Sequence, residues 1–456
     1  MLGGTSACTT IPTGYGVERT LRAQHALGIQ RILVLAVSFP KISPGRELSQ
    51  IRKDVLENTA EYYSKASYGK TTLIGDVKGW YQLPQPLDDY KVPPENDKLF
   101  RQRDRVQRLV EDALSAAEKD VMFNQYNHII IVPGVDTYAG VGYGSNCLAA
   151  NPGFLTGAQR GRASMATITT RGGQQFNGGI IVVAQNAHYG HTVHDLAHAM
   201  GGVVGASRVI PCLYDTKLQD RVGPLTIESF QKFTTFMGPW DVMSRHILTR
   251  KFPPPSMSSW TRLRMGWIGD DQVEEIRPSE NRAVTLQPLS EGEGTLIVSI
   301  PGPGNTYYLL ENRRKLPDDQ MRPANGLLVL HVDDSREQSE GIVRVVNANP
   351  AVPDFRDARF GVAPGQTSSV DLQNDIAIEV LWQHNMDITI LVTNKSIAPE
   401  IQAVAKRVRE IDHRLALLTE SRSTAQAKAN LTNIKELLLQ MKVGDAKAQI
   451  ENIKWP

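Results

Sequence analysis

The chain of 456 residues carries only three cysteines, Cys8, Cys147 and Cys212. That is too few for a disulfide-built scaffold, and the odd number leaves one without a partner inside the chain. Cysteine usage therefore does not settle the compartment. An excess of one charge is also missing: 50 Lys and Arg face 48 Asp and Glu, for a net charge of +2. This balance gives no electrostatic case for a nucleic-acid partner or an anionic membrane surface. Long apolar runs are absent too. The longest, HIIIVPGV and GGIIVVA, are far short of a bilayer span and read as buried strands. The first residues, MLGGTSACTTIPTGYG, lack the basic start and apolar stretch of a signal peptide. That points to a cytoplasmic chain, or to one trimmed of an export signal. No Gly-x-Ser-x-Gly elbow occurs, so serine-hydrolase chemistry has no nucleophile. GVDTYAGVGYGS (134–145) has spaced glycines, but neither the dinucleotide fingerprint nor the Gly-Lys-Ser/Thr ending of a phosphate loop. It reads as a loop rimming a cleft.

What is present fits a globular protein with sizeable cores: 41% hydrophobic and 21% charged residues. The length implies two or three domains. Residues 1–28 read as an extended lead-in or propeptide remnant. RILVLAVSFP (31–40) reads as a central strand, 48–67 as a helix of about five turns, and YGKTTLIGDVKGWYQLP as strand and turn. DRVQRLVEDALSAAEKDV (104–121) is a second amphipathic helix, and HIIIVPGV (128–135) and GGIIVVAQ (178–185) are further strands. Strands alternating with helices predict an α/β domain over 29–270. From 271 to 396 the texture changes to AVTLQPL, TLIVSIP, TYYLLENR, GLLVLHVDD, GIVRVVN, IAIEVLWQ and ITILVTN. These runs predict an antiparallel β-sandwich-like domain. Residues 397–456 are predicted to form a helical hairpin, serving as a spacer, as an oligomerisation element or in simple packing. Asn394-Lys-Ser and Asn430-Leu-Thr match glycosylation acceptors, a pattern that is common by chance.

HDLAH (194–198), directly after a buried strand, carries the chemistry. Positions i and i+4 lie one above the other on a helix, so His194 and His198 can present two nitrogens to one ion about 2.0–2.1 Å away. The carboxylate next to the first histidine, Asp195, is placed to serve as general base. Gly201-Gly202 ends the helix, and about forty residues later comes FMGPWDVMSRH (236–246), a tight Met-containing turn. Two histidines at this spacing occur in many helices that bind nothing; the neighbouring signals give the pair its weight.

RILVLAVSFP, YYSKASYGKTTLIGDVKGWYQLP, HDLAHAMGG, PCLYDT, MGPWDVMS, SMSSWTRLRMGWI, YYLLENR and GLLVLHVDD occur here in one order. Together they resemble the immune inhibitor A-like secreted metallopeptidases over roughly residues 28–335. The resemblance implies a zincin-like catalytic domain with a Met-turn, a β-rich domain after it, and hydrolysis of protein or peptide substrates outside the cell. It implies Zn²⁺ in the site and structural Ca²⁺ elsewhere. Two departures stand out. The family pattern has Glu where this chain has Asp195, one methylene shorter. It also has Asp as third ligand where Cys212 stands here, after the intervening VVGASRVI.

Cys212 therefore has three readings: a thiolate ligand in a His₂Cys set, half of a disulfide with Cys147, or a buried free thiol. If Cys212 is tied up, Asp215 is the next ligand candidate; otherwise it caps or orients its loop. His191 shares the helix face of the pair but sits a full turn beyond it, fitting a partner behind the ligands, a pH-sensing group or, more simply, an ordinary polar helix start. His188 reads as ordinary. Met243 is expected as an apolar floor, Asp241 and Trp240 as shapers of the turn, and His246 as a donor to the oxyanion of the tetrahedral intermediate. The alternative to a peptidase is a catalytically weak or inactive surface or binding protein that keeps a structural metal.

Overall fold

Six consecutive residues, Ile32 to Val37, are fully buried, the pattern of a strand covered on both faces. In the computed structural model this stretch lies in β1 (Gly28–Ser38), flanked on both sides by parallel neighbours. The structure describes residues 21–23, 25–91, 103–138, 141–142, 147–156, 163–219, 232–248, 250–315, 325–338, 340–363, 365–371 and 373–453. Cys8 and most of the 1–28 lead-in lie outside them, as does part of the 134–145 loop. The chain is mixed α/β with several sheets and C-terminal helices. It divides into two units: one runs to Trp267 and includes Asp333–Arg344, while the other takes the remaining residues from Ile268 onward.

The first unit is built on a five-stranded sheet. Its strands are β1, β2 (Thr71–Gln82), β3 (His128–Pro133), β4 (Cys147–Asn151) and β5 (Gly179–Val183), in the order β2-β1-β3-β5-β4. The first four of that order are parallel, and β4, at one end, runs antiparallel to β5. α1 (Asn58–Ala66) closes a helical stretch from Leu48 that is π-wound over Arg52–Glu57. α2 (Arg103–Ala117) buries Val106, Leu109, Val110, Ala113 and Leu114 in one core with Leu33, Leu35, Ile129, Ile131, Ile180 and Val182. The opposite face of β5 carries α3 (Tyr189–Gly201), with Gly179 against Ala199. α4 (Ser259–Arg264) follows the Met-containing turn, with the Ser258 side chain as its N-cap.

A five-stranded sheet, most of it in the second unit, has the order β6-β8-β9-β10-β11: Val273–Glu275, Ile297–Pro301, Thr306–Arg313, Gly326–Asp333 and Val343–Val345. A four-stranded sheet has the order β7-β14-β13-β12: Arg282–Leu286, Asp387–Thr393, Ile376–His384 and Ser368–Asp371. The two sheets share a core that includes Leu286, Val298, Leu310, Leu327, Val329, Ile378, Val380 and Ile390. A bulge between Val380 and Trp382 turns Leu381 and Trp382 to the other face of the four-stranded sheet. There they pack with Leu391 against α5 (Ala398–Ala416), α6 (Arg422–Leu439) and α7 (Val443–Glu451). The tail's apolar stripes are thus consumed by packing within this unit. Asn394 accepts from the Ser396 and Ile397 backbone in the turn that leads into α5, and Asn430 lies inside α6. Among the described residues no helix is long and apolar enough to cross a membrane.

Candidate metal centre

α3 is buried from Gly190 to Gly201, as a helix apolar around most of its circumference must be. His188 caps it, its Nδ1 accepting from Gly190 N at 3.1 Å, and Gly202 N donates to His198 O where it stops. The stretch VVGASRVI (203–210) then forms a tight hairpin, Val203–Val204 against Ser207–Arg208. Its two central residues, Gly205 and Ala206, have φ of 57° and 69°, the positive pair a two-residue turn requires. The hairpin returns the chain so that Ile210 and Cys212 reach the histidines.

His194 Nε2 and His198 Nε2 lie 3.1 Å apart, with Cys212 Sγ 3.8 Å from the first and 3.5 Å from the second. The other ring nitrogens are both engaged: His194 Nδ1 meets Val242 O at 2.9 Å and His198 Nδ1 meets Ile210 O at 2.6 Å. A carbonyl only accepts, so each Nδ1 carries the proton and each Nε2 turns a lone pair inward. A tetrahedral ion with ordinary zinc bond lengths needs about 3.3 Å between two nitrogens and about 3.6 Å between nitrogen and sulfur. The three donors fit that geometry.

Burial sets the protonation of the cluster. It drives the His194 imidazole down to about 3, opposed by the Val242 carbonyl, and holds His198 well below its usual value, helped by the Arg208 charge. Both rings are neutral, as ligands must be. Burial raises the Cys212 thiol, while Arg208 and the Tyr214 hydroxyl pull it back. Tyr214 also stacks on His194, with ring centroids 5.9 Å apart. Asp195 is buried beside them; desolvation lifts its carboxyl to about 7, against the lowering pull of the Cys147 thiol and Arg208. Its Oδ2 has no hydrogen-bond partner among the described residues.

The Met-containing turn holds the first histidine. Asp241 accepts from Met243 N (2.8 Å), Ser258 N (2.8 Å), Ser258 Oγ (2.6 Å) and Thr261 Oγ1 (2.6 Å). Met243 O in turn accepts from Leu213 N at 2.9 Å, tying the turn to the Cys212 loop.

The structure sorts the sequence candidates. His194, His198 and Cys212 form one potential ligand group, with Asp195 adjoining. Cys147 and Cys212 are both free thiols, so the disulfide reading is not realised. Asp215 stands outside the group, because its Oδ1 accepts from Leu218 N at 2.8 Å and caps the short helix Thr216–Gln219. His246 packs its ring on His194, centroids 3.8 Å apart, but its Nδ1 faces His191 Nδ1 at 3.2 Å. His191, His246 and Cys147 form a second potential ligand group. Among the described residues no all-carboxylate cluster suited to calcium accompanies these two. Sequence reasoning missed Arg208, a buried guanidinium that donates from Nε and Nη2 to Pro152 O at 3.0 and 2.6 Å. No sequence pattern marks a buried arginine. No protein-family model matches the chain, and no curated protein matches it significantly.

Proposed function

We propose that the chain is a zinc metalloendopeptidase of zincin type acting on protein or peptide substrates outside the cell, with Asp195 as general base. The observation that carries this reading is the convergence of His194 Nε2, His198 Nε2 and Cys212 Sγ beside a carboxylate on the same helix. Two imidazoles and a thiolate suit Zn²⁺, which when bound supplies Lewis acidity towards a scissile carbonyl.

The chain's own groups do the rest. A carboxyl brought to about 7 sits in the working range of a base at neutral pH, and the unpartnered Oδ2 is the atom free to take a proton. Geometry rather than residue name decides whether a carboxylate can act, so the shorter side chain does not by itself exclude Asp195. Arg208 places a fixed cation near this charge. The buried turn around Met243, whose neighbour Val242 orients the first histidine, supports the zincin-type fold; the shared core of the second unit's two sheets supports a sandwich.

A second reading, a binding protein with a structural metal and no turnover, is favoured by the burial of His194, Asp195, His198 and Cys212, each no more than 8% exposed. Metal analysis with a peptide-cleavage assay on wild type, Asp195→Ala and Asp195→Glu separates the two. The proposal expects a metal-dependent cleavage that Asp195→Ala abolishes. Equal rates for Asp195→Ala and wild type remove Asp195 as the base. An inert, metal-loaded wild type with an active Asp195→Glu selects the second reading.

A further inference from the structure

We propose that Cys147, His191 and His246 form a second site for a transition-metal ion, making α3 the wall of a two-ion centre. The proposal is independent of the peptidase reading and requires only metal uptake.

Three elements deliver the donors: Cys147 from β4, His191 from the first turn of α3, and His246 from the segment after the Met-containing turn. Cys147 Sγ and His246 Nδ1 each lie 3.2 Å from His191 Nδ1, and all three atoms are within 4.8 Å of one another. The nitrogen–nitrogen spacing matches two ligands of one tetrahedral ion, about 3.3 Å apart, and the sulfur lies about 0.4 Å inside the roughly 3.6 Å of a nitrogen–sulfur pair. Gly190 makes the approach possible, since a Cβ there would lie 2.0 Å from His246 O.

Hydrogen bonding alone accounts poorly for the contact. His191 Nδ1 has one in-plane position, holding either a proton or a lone pair, and both a thiol and an imidazole nitrogen are directed at it. Cys147 can turn its S–H to Asp195 instead, but its sulfur then stays 3.2 Å from a nitrogen that His246 already engages. An ion at the centre resolves this, because all three atoms then act as lone-pair donors and the Cys147 proton leaves to solvent. Two imidazoles with one thiolate select a borderline-soft divalent ion such as Zn²⁺ or Co²⁺ over Ca²⁺ or Mg²⁺.

The two groups adjoin. His246 lies on the His194 ring, and His191 and Asp195 are one helical turn apart, as are His194 and His198. Asp195 hydrogen-bonds Cys147 on one side and leaves Oδ2 without a partner. Asp195 is thus positioned between the two groups.

Co²⁺ titration of the chelator-stripped, reduced full chain tests this, in a Cys8→Ser background so that only Cys147 and Cys212 report. The proposal expects two equivalents of Co²⁺ and a thiolate-to-cobalt charge-transfer band of two-thiolate intensity. Cys147→Ser, or His246→Ala as a second variant, should lower uptake to one equivalent and halve the band, while Cys212→Ser removes the other equivalent. Saturation of the parent at one equivalent, unaffected by Cys147→Ser and lost in Cys212→Ser, overturns the second site and leaves the first intact. No uptake at all overturns both. The count on the parent protein decides even where a variant fails to fold.

Discussion

Asp241 receives four donors at 2.6–2.8 Å and no acceptor, an environment made for an ionised carboxylate. Asp241→Asn keeps the size and removes one acceptor oxygen. In its better orientation the amide oxygen serves Ser258 and Thr261, and its NH₂ then faces the Met243 N–H. One buried backbone donor is left unpaired, at about 1–3 kcal/mol, and three charge-assisted bonds become neutral ones at roughly 0.5–1 kcal/mol each. The sum is about 2.5–6 kcal/mol for the first unit. The effect also reaches the ligands. Val242 O fixes the tautomer of His194, and Met243 O holds the Cys212 loop through Leu213, so loosening the turn should weaken metal binding about 10–100-fold. Urea unfolding followed by tryptophan fluorescence reads the first effect, since Trp240, Trp260 and Trp267 are fully buried in this unit. Competition with a chromophoric chelator reads the second. An unchanged urea midpoint together with unchanged affinity would refute the assignment of Asp241 as organiser of the turn.

Three other outcomes are expected. Cys212→Ala should abolish metal uptake at the His194/His198 group, whereas Asp215→Asn should leave it intact and cost about 1 kcal/mol at most through its helix cap; metal analysis of both variants checks this, and dependence on Asp215 would reverse the ligand order. Glu379, 2% exposed, is raised by burial from 4.5 to about 7. A raised carboxyl stabilises the fold below its unfolded value, and that stability is lost as pH rises through about 7. Glu379→Gln should therefore match wild type at pH 4 and exceed it at pH 8 by up to about 3 kcal/mol, read from denaturation at both pH values. Ile434, fully buried between the tail helices and the four-stranded sheet, should cost about 2–5 kcal/mol as Ile434→Ala, measured on the second unit's transition; a silent substitution would mean that the tail does not pack there.

Much of the fold is legible in the sequence because it rests on local periodicity. The runs 31–40, 128–135 and 178–185 are strands of one sheet, the helices at 48–67 and 104–121 are present, and all seven apolar runs after 271 contain or abut strands. The short strands Val273–Glu275 and Ser368–Asp371 escaped, since three or four residues of mostly polar character carry no period. The antiparallel course of β4 was equally hidden: strand direction is set by partners far along the chain.

By itself, the sequence determined the helix of His194 and His198, its glycine stop and the turn around Met243, because spacing on a helix and turn chemistry are local properties. Only the tertiary structure decided which of Cys212 and Asp215 faces the pair, because a hairpin positions one while the other is used up as a cap. It alone brought Cys147 and His246, 99 residues apart, to the same nitrogen of His191. It also moved the carboxyl of Asp195 towards neutrality, since desolvation depends on everything packed around a group and on nothing in its immediate sequence.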